Sequence, residues 1–237
     1  MLQSSGLRPL TTLINGMSNL APEMIYRRHL PHIQPPGGTF FVTFRLVGSI
    51  PTGVLARLHA EAERIRAELE RLPASPERAE RLYRAERRFF DKWDAFLGEG
   101  QGPDWLRNHE IARLVADAMR FFDGQRYELL AYCIMPNHVH MVFTPGLART
   151  GQYYPLAQIM HSIKGFTAGR ANRLLGRSGA FWQHESYDHC VRNEVELRRI
   201  IAYVANNPVK AGLVGVWPAW PWTYVRDAQA ASQTSDL

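Results

Sequence analysis

Residues 57–99 form a charge-dense stretch that interrupts the rest of the chain. The stretch holds ten basic and ten acidic side chains and is neutral, so the whole formal net charge of +6 lies outside it. Opposite charges recur three and four residues apart, as in Glu61 and Arg64, a spacing typical of solvated helices. Prolines at both ends of 73–76 divide the stretch, and a glycine-rich run ends it. We therefore predict a charged helical insertion at about residues 52–103 that is not a nucleic-acid face.

Hydrophobic periodicity outside the insertion predicts four strands and three helices. The strands cover 39–46, 126–135, 138–143 and 181–189, and the helices cover 110–122, 156–175 and 193–206. In chain order, the first six elements match the split βαβ pattern. We therefore predict an α+β fold, a ferredoxin-like antiparallel sheet with helices on one face. A further C-terminal helix would end before Pro208, because the residue that precedes a proline avoids the helical region.

The remaining segments set the predicted domain limits. Residues 1–24 mix small and polar residues without periodicity, and we expect a loose N-terminal extension there. The Ser/Gln-rich residues 227–237 are expected to form a flexible tail. Residues 25–226 would then form a single domain that contains the insertion.

Composition excludes several classes of protein. At 46% hydrophobic residues the chain can bury a core, so wholesale disorder is excluded. No apolar run approaches the roughly 18 residues that span a bilayer, and no secretory signal is visible, so neither a membrane nor export is expected. Two cysteines are too few for a disulfide framework, which favours the cytoplasm. The pI of about 9.6 favours a polyanionic partner without establishing one.

His138 and His140 are the first candidates for chemistry. Residues two apart on a strand point to the same face, so both imidazoles would project together while Val139 faces the other way. Neutral imidazole is a common ligand of divalent metals, and a rigid strand would hold two ligands in place. A purely structural pair of histidines is equally compatible with this spacing.

Tyr203 and Asn207 are four residues apart in the last predicted helix and lie one turn apart on the same side. The simpler interpretation makes Tyr203 a boundary tyrosine and Asn207 a helix-ending residue. The other combines them with the histidines, because a phenol is a poor nucleophile unless its target is made more electrophilic. A metal held by His138, His140 and the amide oxygen of Asn207 could polarise a phosphate at this place.

Four motifs follow one another in the order of a known family. They are Met-Pro-Asn-His-Val-His at 135–140, Lys-Gly-Phe-Thr at 164–167, Phe-Trp-Gln at 181–183 and Tyr-Val-Ala-Asn-Asn-Pro-Val-Lys-Ala-Gly-Leu at 203–213. Each motif alone is weak, but the combination strongly resembles the single-tyrosine HUH transposases. Within that family it resembles the REP-associated tyrosine transposases of bacteria, which are similar to small insertion-sequence transposases. The resemblance covers about residues 26–224.

The resemblance implies an enzyme that cleaves and joins single-stranded or hairpin DNA, and processes REP-type repeats. Tyr203 would attack the scissile phosphorus and leave a 5′-phosphotyrosine and a free 3′-hydroxyl. His138 and His140 would hold Mg²⁺ or Mn²⁺ together with Asn207, a place where insertion-sequence relatives often carry Gln. The resemblance further implies a bacterial cytoplasmic protein, a monomer or a homodimer, without a nucleotide cofactor.

Basic residues near the proposed site predict where the DNA lies. Residues 151–210 carry eight basic and four acidic side chains, a net charge of +4. A solvated helix face is the simpler interpretation of several of these cations, and a buried strand position that of Trp182, which could instead stack on an unpaired base. The predicted DNA contacts are Arg27, Arg28, Arg45, Lys164, Thr167, Arg170, Arg173, Arg177, Trp182 and Lys210.

Competing assignments remain open at this point. Tyr187 is a rival nucleophile, although it lacks a polar partner one helical turn away. Glu185 and Asp188 could lie near the metal or be ordinary surface acids. A transposase that mobilises its own insertion sequence is an alternative function, and a non-catalytic regulator that binds hairpin DNA is an alternative of another class.

Overall fold

The structure is a computed structural model that describes residues 24–27 and 31–226. Within these residues, the strands are β1 (Met24–Arg27), β2 (Pro31–Gln34), β3 (Phe40–Arg45), β4 (Tyr127–Ile134), β5 (His138–Pro145), β6 (Tyr187–Cys190) and β7 (Thr223–Val225). The helices are α1 (Thr52–Glu70), α2 (Pro76–Gly98), α3 (His109–Phe121), α4 (Leu156–Leu174) and α5 (Glu194–Lys210). The predicted tail and, apart from Met24, the predicted N-terminal extension lie outside the described residues.

Five strands form one antiparallel sheet in the order β6-β3-β5-β4-β7. Its first four strands in chain order, with α3 after β3 and the insertion and with α4 after β5, give the split βαβ arrangement. The predicted α+β, ferredoxin-like fold is confirmed. Two features were not predicted: β7 extends the sheet beside β4, and β1 and β2 form a separate antiparallel hairpin.

Helices cover both faces of the sheet. On one face α3 and α4 pack over a core that includes Phe44, Tyr132 and Phe143. On the other face α1, α2 and α5 pack over a core that includes Phe90 and Leu197. The two helices of the ferredoxin-like unit therefore share one face, as predicted, and the insertion and the C-terminal helix share the other.

The central strand β5 faces both cores. Its side chains alternate, so Val139 and Met141 enter the core under α3 and α4 while His138 and His140 point to the opposite face. Register places Thr43 of β3 opposite His140. A single strand thus contributes to the apolar core and to a polar cluster.

The insertion consists of the two predicted helices. Ser75 caps α2 by accepting a hydrogen bond from the Arg78 N–H at 3.1 Å, and Pro76 occupies the first turn. Apolar residues on one side of α2, among them Phe90 and Trp93, are buried against the sheet. In the described part of the chain, no helix combines the length and apolarity needed to cross a membrane.

The C-terminal helix continues past its predicted end. Pro208 lies inside the last turn of α5, which runs to Lys210. A proline removes its own N–H, but the next turn still forms, since the Ala211 N–H donates to the Asn207 carbonyl at 3.0 Å. The predicted boundary is therefore wrong, and Asn207 is helical. The strand predicted over 181–189 is also shorter, since only Tyr187–Cys190 forms β6.

Candidate active site

The two histidines of β5 lie with their Nε2 atoms close together. His138 and His140 are 2% and 0% exposed, and their Nε2 atoms are 3.0 Å apart. The strand alternation that sends Val139 into the opposite core brings these rings together. The predicted shared face of His138 and His140 is therefore present.

The Nδ1 atom of each ring has an oxygen partner. His138 Nδ1 lies 2.6 Å from the side-chain oxygen of Asn137, which can only accept, so this nitrogen carries the proton. His140 Nδ1 lies 2.8 Å from the Thr43 hydroxyl, which can accept or donate. The Nε2 lone pair of neutral His138 is consequently directed at His140, and an imidazole in this arrangement is ready to bind a metal.

Burial keeps both imidazoles neutral. It lowers the pKa of His138 well below the usual value, and the neighbouring ring of His140 lowers it further. Burial, assisted by the positive charge of Lys210, lowers the pKa of His140 to about 3. Neutral rings have free lone pairs at neutral pH, which is the form that coordinates metals.

Asn207 of α5 closes the cluster from the helix side. Its side chain is buried, and its Nδ2 lies 3.0 Å from His140 Nε2. A half-turn of the amide would place Oδ1 at the same position, where it could serve as an oxygen ligand. Two imidazole nitrogens and one amide oxygen can therefore converge on one point, and this donor set fits the predicted divalent cation.

Asp94 is a member of the cluster that the sequence interpretation missed. It lies on the insertion helix α2, its side chain is 8% exposed, and its Oδ1 is 3.6 Å from His140 Nε2. Within the described residues, Asp94, His138 and His140 form a group whose ligand atoms all lie within 4.8 Å of one another. A signal for it existed, because Asp94 follows Phe90 and Trp93 at helical spacing and so interrupts the buried stripe of α2 with a carboxylate.

Tyr203 lies one turn before Asn207 and beside the histidines. Its ring centroid is 5.4 Å from that of His140, and Phe41 and Phe90 pack edge-on against it at 6.0 and 5.9 Å. Among the described residues, its hydroxyl is the one buried side-chain polar atom without a hydrogen-bond partner. Buried polar atoms are nearly always paired, so an unpaired hydroxyl at this position indicates a place for a polar ligand.

The same environment disfavours the phenolate. Burial, together with the negative charge of Asp94, raises the pKa of Tyr203 far above its usual value. The hydroxyl is therefore protonated at neutral pH, and its use as a nucleophile requires positive charge close by. Lys210 provides one such charge, since its Nζ lies 5.7 Å from the centre of the Tyr203 ring and 3.6 Å from Asp94 Oδ2.

Three of the residues that were predicted to contact DNA, Arg45, Thr167 and Trp182, are buried. Trp182 donates through Nε1 to the Thr167 hydroxyl at 2.9 Å, and Thr167 itself donates to the Ile163 carbonyl at 2.8 Å. Arg45 is 3% exposed and donates to the Ser49 hydroxyl at 3.2 Å, and burial lowers its pKa to about 10. The bond between Trp182 and Thr167 therefore joins α4 to the segment before β6, and Arg45 is bonded to the loop after β3.

Of the other residues that were predicted to contact DNA, some are exposed to solvent and some form hydrogen bonds or ring contacts within the protein. Arg170 and Arg173 are exposed near the end of α4, whereas Lys164 donates to the carbonyls of Gln183 and His184 at 2.7 and 2.8 Å. Arg177 lies over the ring of Trp105 and donates to Asn172. Arg27 belongs to β1, and Arg28 lies outside the described residues.

The rival residues take other positions. The Tyr187 ring packs on Phe90 at 4.6 Å and on Trp93 at 6.2 Å within the insertion interface. Burial raises the pKa of Tyr187 well above its usual value. The acid beside the histidines is Asp94, while Glu185 and Asp188 line a cavity of about 710 Å³ between the insertion and α4.

Known proteins resemble this chain over the part that carries the cluster. Residues 106–207 match the family model described as "Transposase IS200 like". A Haemophilus influenzae protein named as a REP-associated tyrosine transposase is 29% identical over 119 residues, which cover 46% of this chain and 66% of that protein. A solved structure of a REP-associated tyrosine transposase bound to a REP hairpin has 18% identity and a TM-score of 0.47, with 84% of this chain and 80% of that chain covered.

The matched segment contains His138, His140, Tyr203 and Asn207. Asp94 lies before it, in the insertion. Residues 106–207 of this chain are therefore similar to the IS200-like transposases, and a REP-associated tyrosine transposase is among the proteins that resemble this chain, as the motifs predict.

Proposed function

We propose that this protein cleaves and rejoins single-stranded or hairpin DNA through a 5′-phosphotyrosine at Tyr203, and that its substrates are REP-type repeats. The observation that carries the proposal is the buried, unpaired hydroxyl of Tyr203 beside two neutral histidines. The family match and the REP-associated relative support the substrate class.

His138, His140 and Asn207 would hold the divalent cation, Mg²⁺ or Mn²⁺. When bound, the cation would polarise the scissile phosphate and neutralise the charge that builds up during the transfer. The neutral imidazoles supply lone pairs, and Asn137 and Thr43 hold the two rings in orientation through their Nδ1 atoms. The two imidazole rings are held rigidly because His138 and His140 lie on the central strand of the sheet.

Tyr203 would act as the nucleophile. A bond would form between its phenolic oxygen and the phosphorus, and the bond from phosphorus to the 3′-oxygen of the preceding nucleotide would break. The phenol loses one proton and the leaving 3′-oxygen gains one, so the step needs no nucleotide cofactor. Attack by another 3′-hydroxyl on the phosphotyrosine would reverse these bond changes and join the strands.

Exposed cations on α4 and α5 would position the phosphate backbone of the DNA. Lys210 stands at the end of α5 with its side chain 69% exposed, and Arg170 and Arg173 are exposed on α4. Contacts of Lys and Arg with phosphates give sequence-independent affinity that falls with salt. We propose these three side chains, in place of the buried Arg45, Thr167 and Trp182, as the DNA contacts.

The test is detection of the covalent adduct. A 3′-labelled hairpin oligonucleotide with single-stranded flanks, drawn from repeats of the source genome, is incubated with protein and Mn²⁺ and run on a denaturing gel. The wild type should give a labelled protein band that maps to the Tyr203 peptide, because the protein stays on the 5′-phosphate of the 3′ fragment. Tyr203→Phe should give none while it still binds the hairpin.

Tyr187→Phe is the matched control and should form the adduct. Cleavage by Tyr203→Phe would show that the nucleophile is wrong, and cleavage in the presence of excess chelator would remove the metal from the proposal. Hairpin binding by the wild type without any adduct would favour the non-catalytic regulator.

A further inference from the structure

We infer that the helical insertion is part of the active site and that Asp94 is a further protein ligand of the divalent cation. The inference rests on the proposed function for the cation itself and adds a ligand from outside the matched family segment. It follows from four observations on the position and chemistry of this carboxylate.

The insertion is held firmly against the catalytic face. Phe90 packs edge-on against Phe41 of β3 at 5.3 Å, and the Asn137 amide donates to the Leu97 carbonyl at 3.0 Å. The Tyr83 hydroxyl donates to the carboxylate of Glu196 on α5. These contacts tie α2 to the sheet, to the loop before His138 and to α5, so the position of Asp94 is set by packing on both sides.

Asp94 is buried but incompletely compensated. His140 Nε2 and Lys210 Nζ each lie 3.6 Å from one of its oxygens, which is longer than a hydrogen bond. Lys210 is an exposed side chain whose attraction is screened by water. A buried carboxylate is costly unless it is paired or coordinates a metal.

The distances within the cluster suit a shared cation. Two ligand atoms at right angles on an ion with bonds of about 2.1 Å lie about 3.0 Å apart, and those at wider angles lie farther apart. The His138 and His140 Nε2 atoms are 3.0 Å apart, and Asp94 Oδ1 is 3.6 Å from His140 Nε2. One ion can bridge each of these two spacings, and all three ligand atoms lie within 4.8 Å of one another.

A carboxylate also supplies what the other ligands lack. Mg²⁺ and Mn²⁺ prefer oxygen donors, and the pair of histidines with Asn207 offers a single oxygen and no negative charge. Asp94 adds a second oxygen and one negative charge. Two histidines and one carboxylate on one side of an ion form a donor set that leaves positions open for substrate.

The competing role for Asp94 is an ion pair that only positions Lys210. The two roles predict different metal affinities for variants of Lys210 and Asp94. If Asp94 binds the cation, neutralising Lys210 removes a nearby positive charge and metal affinity is kept or improved. If Asp94 acts only through Lys210, metal affinity is independent of Asp94.

The experiment measures Mn²⁺ affinity of the full chain without DNA, from the free-ion signal in electron paramagnetic resonance. Asp94→Asn should weaken Mn²⁺ binding at least ~10-fold, because loss even of a residue that only supports a ligand costs 10- to 100-fold. Asp91→Asn is the matched control, an exposed acid one turn earlier on α2, and should bind as the wild type does. Lys210→Met should not weaken binding.

A second variant gives a positive signature that does not depend on activity. Asp94→Cys places a thiolate at the cluster, and thiolates prefer soft cations. It should bind Cd²⁺ with an ultraviolet thiolate-to-metal band that the wild type lacks and that His140→Ala removes. Thermal melts of each variant without metal check that the fold is kept.

The outcomes separate the two proposals. Mn²⁺ binding by the wild type that needs His140 but is unchanged in Asp94→Asn, with no Cd²⁺ band in Asp94→Cys, overturns the inference and leaves the proposed function standing. A wild type without any His140-dependent Mn²⁺ binding overturns the metal site as a whole.

Discussion

The two faces of the central sheet are formed by the same strands, but one face carries an apolar core and the other carries a buried polar cluster. On β5, Met141 and Phe143 enter a core under α3 and α4 that consists of apolar side chains with two tyrosines. At the alternate positions of the same strand, His138 and His140 enter the opposite face, where a polar cluster is buried under α2 and α5. Strand alternation thus separates stability from chemistry within a single segment of eight residues.

The two faces satisfy different packing requirements. The apolar face needs only shape complementarity, which is met by packing. The polar face must give every buried nitrogen and oxygen a partner, and it does so for His138 and His140 through Asn137 and Thr43. The Tyr203 hydroxyl is its exception, and the exception coincides with the proposed nucleophile.

Among the variants that test the separation of the two faces, we expect the largest effect at His140. His140→Ala should lower adduct formation about 100- to 1000-fold, the scale seen when one group that stabilises a transition-state charge is removed. Met141→Leu, its neighbour on the apolar face, conserves volume and should keep adduct formation at the level of the wild type. Initial rates of adduct formation on the hairpin oligonucleotide measure both. Equal losses in the two variants would mean that the faces are not functionally separate.

The reverse test concerns stability on the apolar face. Phe143 is fully buried and packs against the Tyr127 ring at 5.2 Å. Phe143→Ala should lower the free energy of unfolding by about 3–5 kcal/mol, measured by urea denaturation, because it leaves a cavity in a close-packed core. Phe166→Ala on the exposed side of α4 is the matched control and should change it by less than about 0.5 kcal/mol. A small effect at Phe143 would show that this face is loosely packed.

A smaller, pH-dependent effect is expected where the insertion joins α5. Burial of Glu196 opposes its charged form, but hydrogen bonds from His189 and Tyr83 outweigh burial and lower its pKa to about 2. A lowered folded-state pKa stabilises the fold above the unfolded pKa near 4.5, and this stabilisation is lost as the pH falls towards 2.

Between pH 6 and pH 3 the wild type should therefore lose about 1–2 kcal/mol more unfolding free energy than Glu196→Gln, after allowance for solvent screening. Urea denaturation at the two pH values measures the difference. Parallel loss in both proteins would mean that Glu196 does not fasten the insertion.

Much of the fold follows from local patterns. The apolar periodicity of each element gave the helices and strands in their correct order, and Asn193 caps α5 as its position before Glu194 predicts, by accepting from the Glu196 N–H at 2.9 Å. The end of α5 was missed, because the cost of Pro208 in the final turn is a single backbone bond that neighbouring contacts can offset. The edge strand β7 was missed because three residues are too few to show a period.

Part of the candidate site could also be predicted from local patterns. The spacing of His138 and His140 on a strand, and of Tyr203 and Asn207 on a helix, determines which side chains share a side of one element. The burial of Thr167 and Trp182 was not determined in this way, since it depends on the packing of α4 against a connection that follows it.

The amino-acid sequence predicted the order of the elements, the shared face of the two histidines and the resemblance of the segment that carries them to IS200-like transposases. What covers that face depends on tertiary contacts. These contacts bring in Asp94 from an insertion whose charge pattern predicts a neutral, solvated pair of helices. The physical reason is that periodicity reports which side of its own element a residue occupies. Which partner lies across that side depends on contacts between residues far apart in the chain, as Asp94 and His140 are.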